Sequence, residues 1–185
     1  MNEMDVLAGI LDKTGNLIAN TTRDQWDQPT PCPDFDVHTL LGHIVGWVRV
    51  FDAAANGGKF GGDPTSYDVS DSSAADFRSH SASMLDGWRT YGIDRTVQLI
   101  GGEMPAPMVY NMTFMEYLTH GWDLAQGTGQ PVPFTDEEVT ATLRRGRETL
   151  QPQFRGDQIG PEITVADDAP AIDQFVAFMG RQPQG

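Results

Sequence analysis

Between Pro107 and Gln126 the chain carries, tyrosines aside, only three ionisable side chains, Glu116, His120 and Asp123, in a run whose periodicity is otherwise helical. At about 100° per residue, Phe114, Leu118 and Trp122 form one apolar stripe, while Glu116 and His120 sit one turn apart on another with Asp123 beside them. A helix with no solvated face has to be central, with other helices around it. This one also takes a carboxylate and an imidazole into the interior, where charge needs a partner. A divalent metal ion is the economical partner, and a carboxylate–imidazole hydrogen bond on a partly wet face would satisfy the same two groups.

The rest of the chain supplies helices to surround it. Met4, Leu7, Ile10, Leu11, Leu17 and Ile18 recur at three- and four-residue steps, predicting a first helix over 2–20 that Gly15 weakens without breaking. Pro29, Pro31 and Pro33 make the next segment a stiff irregular connector. Asp36 caps a second helix with Leu40, Leu41, Ile44, Val45, Val48 and Phe51 on one stripe, stopped by Asn56-Gly57-Gly58. Residues 59–67 read as a long loop able to fold over one end of a bundle. Asp71 is the expected cap of a third helix running to about Thr90, whose apolar face (Ala75, Phe77, Met84, Leu85, Trp88) is the weakest.

Residues 95–100, followed by Gly101-Gly102, suggest a short extended piece with a turn, and Pro105 and Pro107 delay the fourth helix to about Met108. That helix is expected to stop at Gly127. Thr135 and Glu138 form a capping box opening a fifth helix to about Leu150, and a last short helix spans 170–179 before Gly180. The expectation is an all-α fold: a four-helix bundle with a short C-terminal helical extension, one domain over 1–185.

Charge narrows the partners. The 26 acidic and 12 basic residues leave a net charge of −14, with no basic cluster longer than Arg144, Arg145 and Arg147, so nucleic acid and anionic lipid are excluded as natural partners. No apolar run approaches the about 20 residues of a membrane span, and the N-terminus lacks a basic region and a signal core, so the protein reads as cytoplasmic. Cys32, the lone cysteine, excludes an intrachain disulfide and a Cys-rich zinc knuckle. In Pro31-Cys32-Pro33, with no helix start or basic neighbour to lower its pKa, it reads as a spectator thiol.

Bundle cores bind metals with side chains from facing helices, and Glu116 with His120 offers two ligands on one side of an ion. A third ligand from another helix would leave a position open for water or substrate. His43 is the expected third ligand, on the flank of the second helix's stripe beside Trp47, although a single histidine there also reads as a hydrogen-bonded core residue. His38 sits in the first turn, where the helix dipole disfavours further positive charge, and His80 lies in a polar run, Arg78-Ser79-His80-Ser81, with the look of an exposed face. Asp123 is the candidate catalytic auxiliary: it can accept a proton from a ligating imidazole, act as a base near the open position, or cap a neighbouring chain end.

These positions carry a resemblance. Thr30-Pro31-Cys32-Pro33-Asp34-Phe35-Asp36-Val37 with Leu40-Leu41-Gly42-His43, Glu116-Tyr117-Leu118-Thr119-His120-Gly121-Trp122-Asp123-Leu124 with Thr128-Gly129-Gln130, and the ending from Gly160-Pro161 to Gly180-Arg181 resemble the DinB-like superfamily. Within it they resemble the group named after the N-terminal domain of mycothiol-dependent maleylpyruvate isomerase. The resemblance implies a four-helix bundle and a divalent metal, zinc in the isomerase, held by His43, Glu116 and His120. It implies a low-molecular-weight thiol, mycothiol, as co-substrate attacking a small electrophile, in an S-transferase or isomerase reaction. The residues after the bundle are too few for the isomerase's separate C-terminal domain, so maleylpyruvate itself is not implied as substrate. Two rival readings share the metal: a hydrolase acting on a small amide or ester through activated water, and a non-catalytic metal- or ligand-binding protein, with a homodimer as one form it can take.

Overall fold

The structure, a computed structural model, describes residues 2–151, 155 and 159–183. Among the described residues it contains helices α1 (Glu3–Asn20), α2 (Val37–Ala55) and α3 (Ser73–Tyr91), a hairpin of β1 (Thr96–Leu99) and β2 (Gly102–Pro105), and then α4 (Ala106–Thr128), α5 (Asp136–Thr149) and α6 (Ala171–Phe178). The expected all-α architecture is what the chain adopts. α1 and α2 each pack on α3 and on α4, closing a four-helix bundle, and α5 covers α4 with α6 against it.

Local chemistry sets most of the helix ends. The Asn2 side chain accepts the Asp5 N–H at 2.9 Å, and Asp36 accepts the Thr39 N–H at 2.7 Å, each satisfying an amide that the helix itself leaves free. The capping box of α5 forms: Thr135 Oγ1 accepts from Glu138 N and Glu138 Oε2 accepts from Thr135 N. Glu138 does more than cap, because its buried carboxylate also takes the Lys13 ammonium at 2.6 Å and so ties α5 to α1.

Three expected boundaries move. The cap position of α3 is Ser72, while Asp71 turns outward to pair with Arg23 at 2.8 Å. α4 starts at Ala106 rather than Met108, because Pro107 falls in the first turn, where a missing N–H removes no helical bond. It ends at Gly129, φ +69°, rather than at Gly127. Gly127 is used for close approach instead: a methyl there would stand 3.0–3.1 Å from the side chains of Thr30 and Val37.

The core is apolar and continuous. Leu7, Ile10, Leu40, Ile44, Phe51, Phe77, Met84, Phe114 and Leu118 are fully buried, each contributing about 1.5–3 kcal/mol relative to exposure. Phe77, Met84, Leu85 and Trp88 fill the face of α3, but Ala75 is exposed. Residues 59–67 fold back as expected, and a 3-10 turn at Pro64–Ser66 lies flat on α2. Gly46 permits this, since a methyl there would overlap the Pro64 carbonyl. The turn thereby walls the end of α2 that carries His43. No helix among the described residues is long and apolar enough to cross a membrane.

Candidate metal centre

α2 and α4 pack face to face, and their contact brings three predicted residues together. His43 Nε2 lies 2.8 Å from Glu116 Oε1, and His120 Nε2 lies 3.8 Å from the same oxygen. The two imidazole rings meet edge to face with centroids 4.7 Å apart. Two ligands about 2.05 Å from a tetrahedral zinc ion stand about 3.3 Å from each other, and the observed separations bracket that value. Two nitrogens and one carboxylate oxygen from facing helices therefore fit an ion of the zinc type. His43 and Glu116 each keep 21% of their side-chain surface open, so the group can be reached from outside.

The other two histidines are elsewhere. His38 is exposed with its ring against Trp26, and His80 donates or accepts through Nδ1 to Asp52 Oδ2 at 2.7 Å, bridging α3 and α2 rather than facing solvent freely.

Charge in the site is tightly coupled. Burial pushes the Glu116 carboxyl up, but the charges of His120 and His43 and the hydrogen bond from His43 outweigh it and hold its pKa at about 2. Burial would lower the pKa of His120, and Glu116 together with the hydrogen bond and charge of Asp123 raises it instead. Glu116 is thus an anion, ready as a ligand.

Asp123 lies behind His120, fully buried, its Oδ2 3.0 Å from His120 Nδ1. Its carboxylate also accepts from Arg181, Nη2 to Oδ2 at 3.1 Å and Nε to Oδ1 at 3.4 Å. In the neutral ring, a proton held on Nδ1 by Asp123 would leave the Nε2 lone pair on the side of Glu116 and the cavity, which is the tautomer a metal needs. Asp123 is sealed from solvent, its carboxylate meeting the His120 ring and Arg181, and it does not line the cavity beside Glu116.

The sequence reading missed the role of one residue and misplaced another. Arg181 stands 58 positions from Asp123, and no local pattern links a tail arginine to a mid-bundle aspartate. Cys32 is buried with Sγ within 4.8 Å of ligating atoms of both His120 and Asp123, so the expectation that it lacks a basic neighbour is corrected. The positive charge of Arg181 acts on it, although burial dominates and raises the thiol pKa. The proline-rich connector causes this placement: Thr30 Oγ1 donates to the Phe35 carbonyl at 2.6 Å, curling the loop so that Cys32 and Phe35 face the site. Cys32, His120 and Asp123 make a poor second cation site, because Arg181 already neutralises the aspartate.

Cavities open on both sides. One of about 220 Å³ reaches His43 between Phe35, Gly42 and Tyr67, and another of about 100 Å³ reaches Glu116 and His120. A further depression of about 500 Å³ lies between α1 and α5 and touches none of the three residues.

A family model described as mycothiol maleylpyruvate isomerase N-terminal domain matches residues 7–125. The chain belongs to this family. The matched span contains His43, Glu116, His120 and Asp123 and stops short of α5, α6 and Arg181. Two uncharacterized proteins of Mycobacterium tuberculosis, from strains CDC 1551 / Oshkosh and H37Rv, are each 32% identical over 173 residues, covering 92% of this chain and 92% of the relative. No solved structure matches the chain. The mycothiol maleylpyruvate isomerase family relationship agrees with the resemblance carried by the motifs around Cys32, His43 and Glu116.

Proposed function

We propose that this protein is a divalent-metal-dependent thiol S-transferase or isomerase of the cytoplasm, using mycothiol or a related low-molecular-weight thiol on a small electrophile. The observation that carries the reading is the convergence of His43, Glu116 and His120 from two helices, with Asp123 hydrogen-bonded to His120 Nδ1 from behind. Zinc is the fitting ion, and when bound it supplies Lewis acidity that lowers the pKa of a thiol and yields a nucleophile at neutral pH.

The chain's own residues do the remaining work. With a metal bound, His43 and His120 would each offer a ring nitrogen and Glu116 a carboxylate oxygen, and three protein ligands would leave room for a thiol, as catalytic sites require. Asp123 and Arg181 keep the His120 ring from turning. Phe35 and Trp47 stand beside His43, with ring centroids 5.0 and 6.0 Å away, and give that flank an apolar wall. Family membership supports the thiol, since the family takes its description from a mycothiol-using isomerase.

The test is turnover. Zinc-replete protein with mycothiol consumes an electrophilic test compound, and the His120→Ala variant does not. Consumption that proceeds equally without thiol, or ester hydrolysis that thiol inhibits, overturns the reading in favour of water as nucleophile.

A further inference from the structure

Resting on the proposed thiol chemistry, we propose that the cavity of about 100 Å³ beside Glu116 and His120 is the electrophile's subsite, and that it takes a compact, neutral molecule with an apolar body and one carbonyl oxygen. Met112, Met115, Glu116, Thr119 and His120 recur at three- and four-residue steps, so one face of α4 carries both the cavity wall and two of the proposed ligands. A molecule seated there lies against the proposed metal centre without further movement.

Size and walls define the apolar part. About 100 Å³ is room for about three liquid-water volumes, the scale of a short enal or enone. Met112, Met115, Met179 and Ile159 line it, and thioether side chains adapt their shape to apolar guests.

Thr119 defines the polar part. Its Oγ1 is buried, the residue being 2% exposed, and has no hydrogen-bond partner among the described residues. The other buried threonines of these helices, Thr14, Thr113 and Thr142, bond the carbonyl three or four residues back, at Ile10, Tyr110 and Glu138. Thr119 departs from that habit beside the cavity, and a buried hydroxyl without a partner calls for one. A ligand carbonyl oxygen is the complementary acceptor.

Charge selects neutrality. Arg181 also borders the cavity, but its guanidinium is committed to Asp123 and to the Met179 carbonyl, so its positive charge is already matched. In the metal-free protein Glu116 repels an incoming carboxylate, and where a divalent ion and a thiolate occupy the centre the thiolate and Glu116 together match the ion's charge, so no net positive charge is left to draw one. A ketone or aldehyde suffers no such penalty.

Butanone and propionate separate these features, being the same size and differing in charge. In protein labelled with ¹³C at methionine methyls, metal-free and zinc-loaded, butanone is expected to shift Met112, Met115 and Met179 saturably and to leave Met84 in the core unmoved. Propionate is expected to bind the metal-free protein at least tenfold more weakly than butanone. Thr119→Val, which keeps the shape and removes the hydroxyl, is expected to weaken butanone at least tenfold with unchanged zinc content and melting temperature. Absence of saturable shifts, a Thr119→Val variant that binds butanone as well as the parent, or propionate binding the metal-free protein as tightly as butanone overturns the assignment. Absorption of the cobalt-loaded protein on adding mycothiol reports the thiol reading separately: a thiol-dependent change with no butanone binding removes this subsite alone, and butanone binding with no thiol-dependent change removes the thiol reading alone.

Discussion

Arg181 and Asp123 are almost wholly enclosed, so each depends on the other for the hydration it has lost. Removing one partner of a buried ion pair leaves an uncompensated charge and costs about 3–5 kcal/mol. Arg181→Met should therefore lower stability by about that amount in urea unfolding, and Arg181→Met combined with Asp123→Asn should recover much of the loss, because both charges leave together. A loss below about 1 kcal/mol in the single variant would show the pair to be solvated. Cys32 yields a second prediction at this scale. Its thiol is 7% exposed and burial keeps it protonated, so an aromatic disulfide reagent at neutral pH should label it only at the rate of unfolding. Labelling of the native protein at the rate of a free thiol would place the connector away from His120.

At the level of elements, α2 is the helix to test because it delivers His43 from its second turn. Hydrogen bonds from the hydroxyl and N–H of Thr39 hold the Asp36 carboxyl below its ordinary value of 3.8. A depressed carboxyl pKa adds stability that is fully present above the unfolded value and fades as pH falls through the folded one. Asp36→Ala should accordingly cost about 1 kcal/mol at neutral pH, and the gap between variant and parent in thermal unfolding should close in strong acid; a gap independent of pH would refute the cap. Helix starts of this kind were legible because the capping side chain and its amide are three residues apart. The start of α3 was not, since Asp71 had a competing partner in Arg23, far away in sequence. Gly127 misled for a similar reason: the glycine relieves crowding by Thr30 and Val37, a demand of packing and not of the helix end.

For the whole molecule, a ligand that binds only the folded state stabilises it by mass action, about 2.7 kcal/mol at a hundredfold excess over Kd. For a chain of this size that is a rise of about 5–11 °C in melting temperature. Zinc should produce such a rise in the parent protein and little in His43→Ala, and a parent insensitive to zinc would remove the proposed centre. The helices and the Glu116–His120 pair were legible in the chain, because helical periodicity and the carboxylate–imidazole spacing are short-range properties of one segment. That His43 meets the pair, and what stands behind and beside all three, came from how the helices pack. Arg181 reaches Asp123, Cys32 turns toward His120, and the turn at Pro64–Ser66 settles on Gly46 through contacts between segments far apart in the chain. Such contacts follow from the shapes left when helices pack, and no local pattern encodes them.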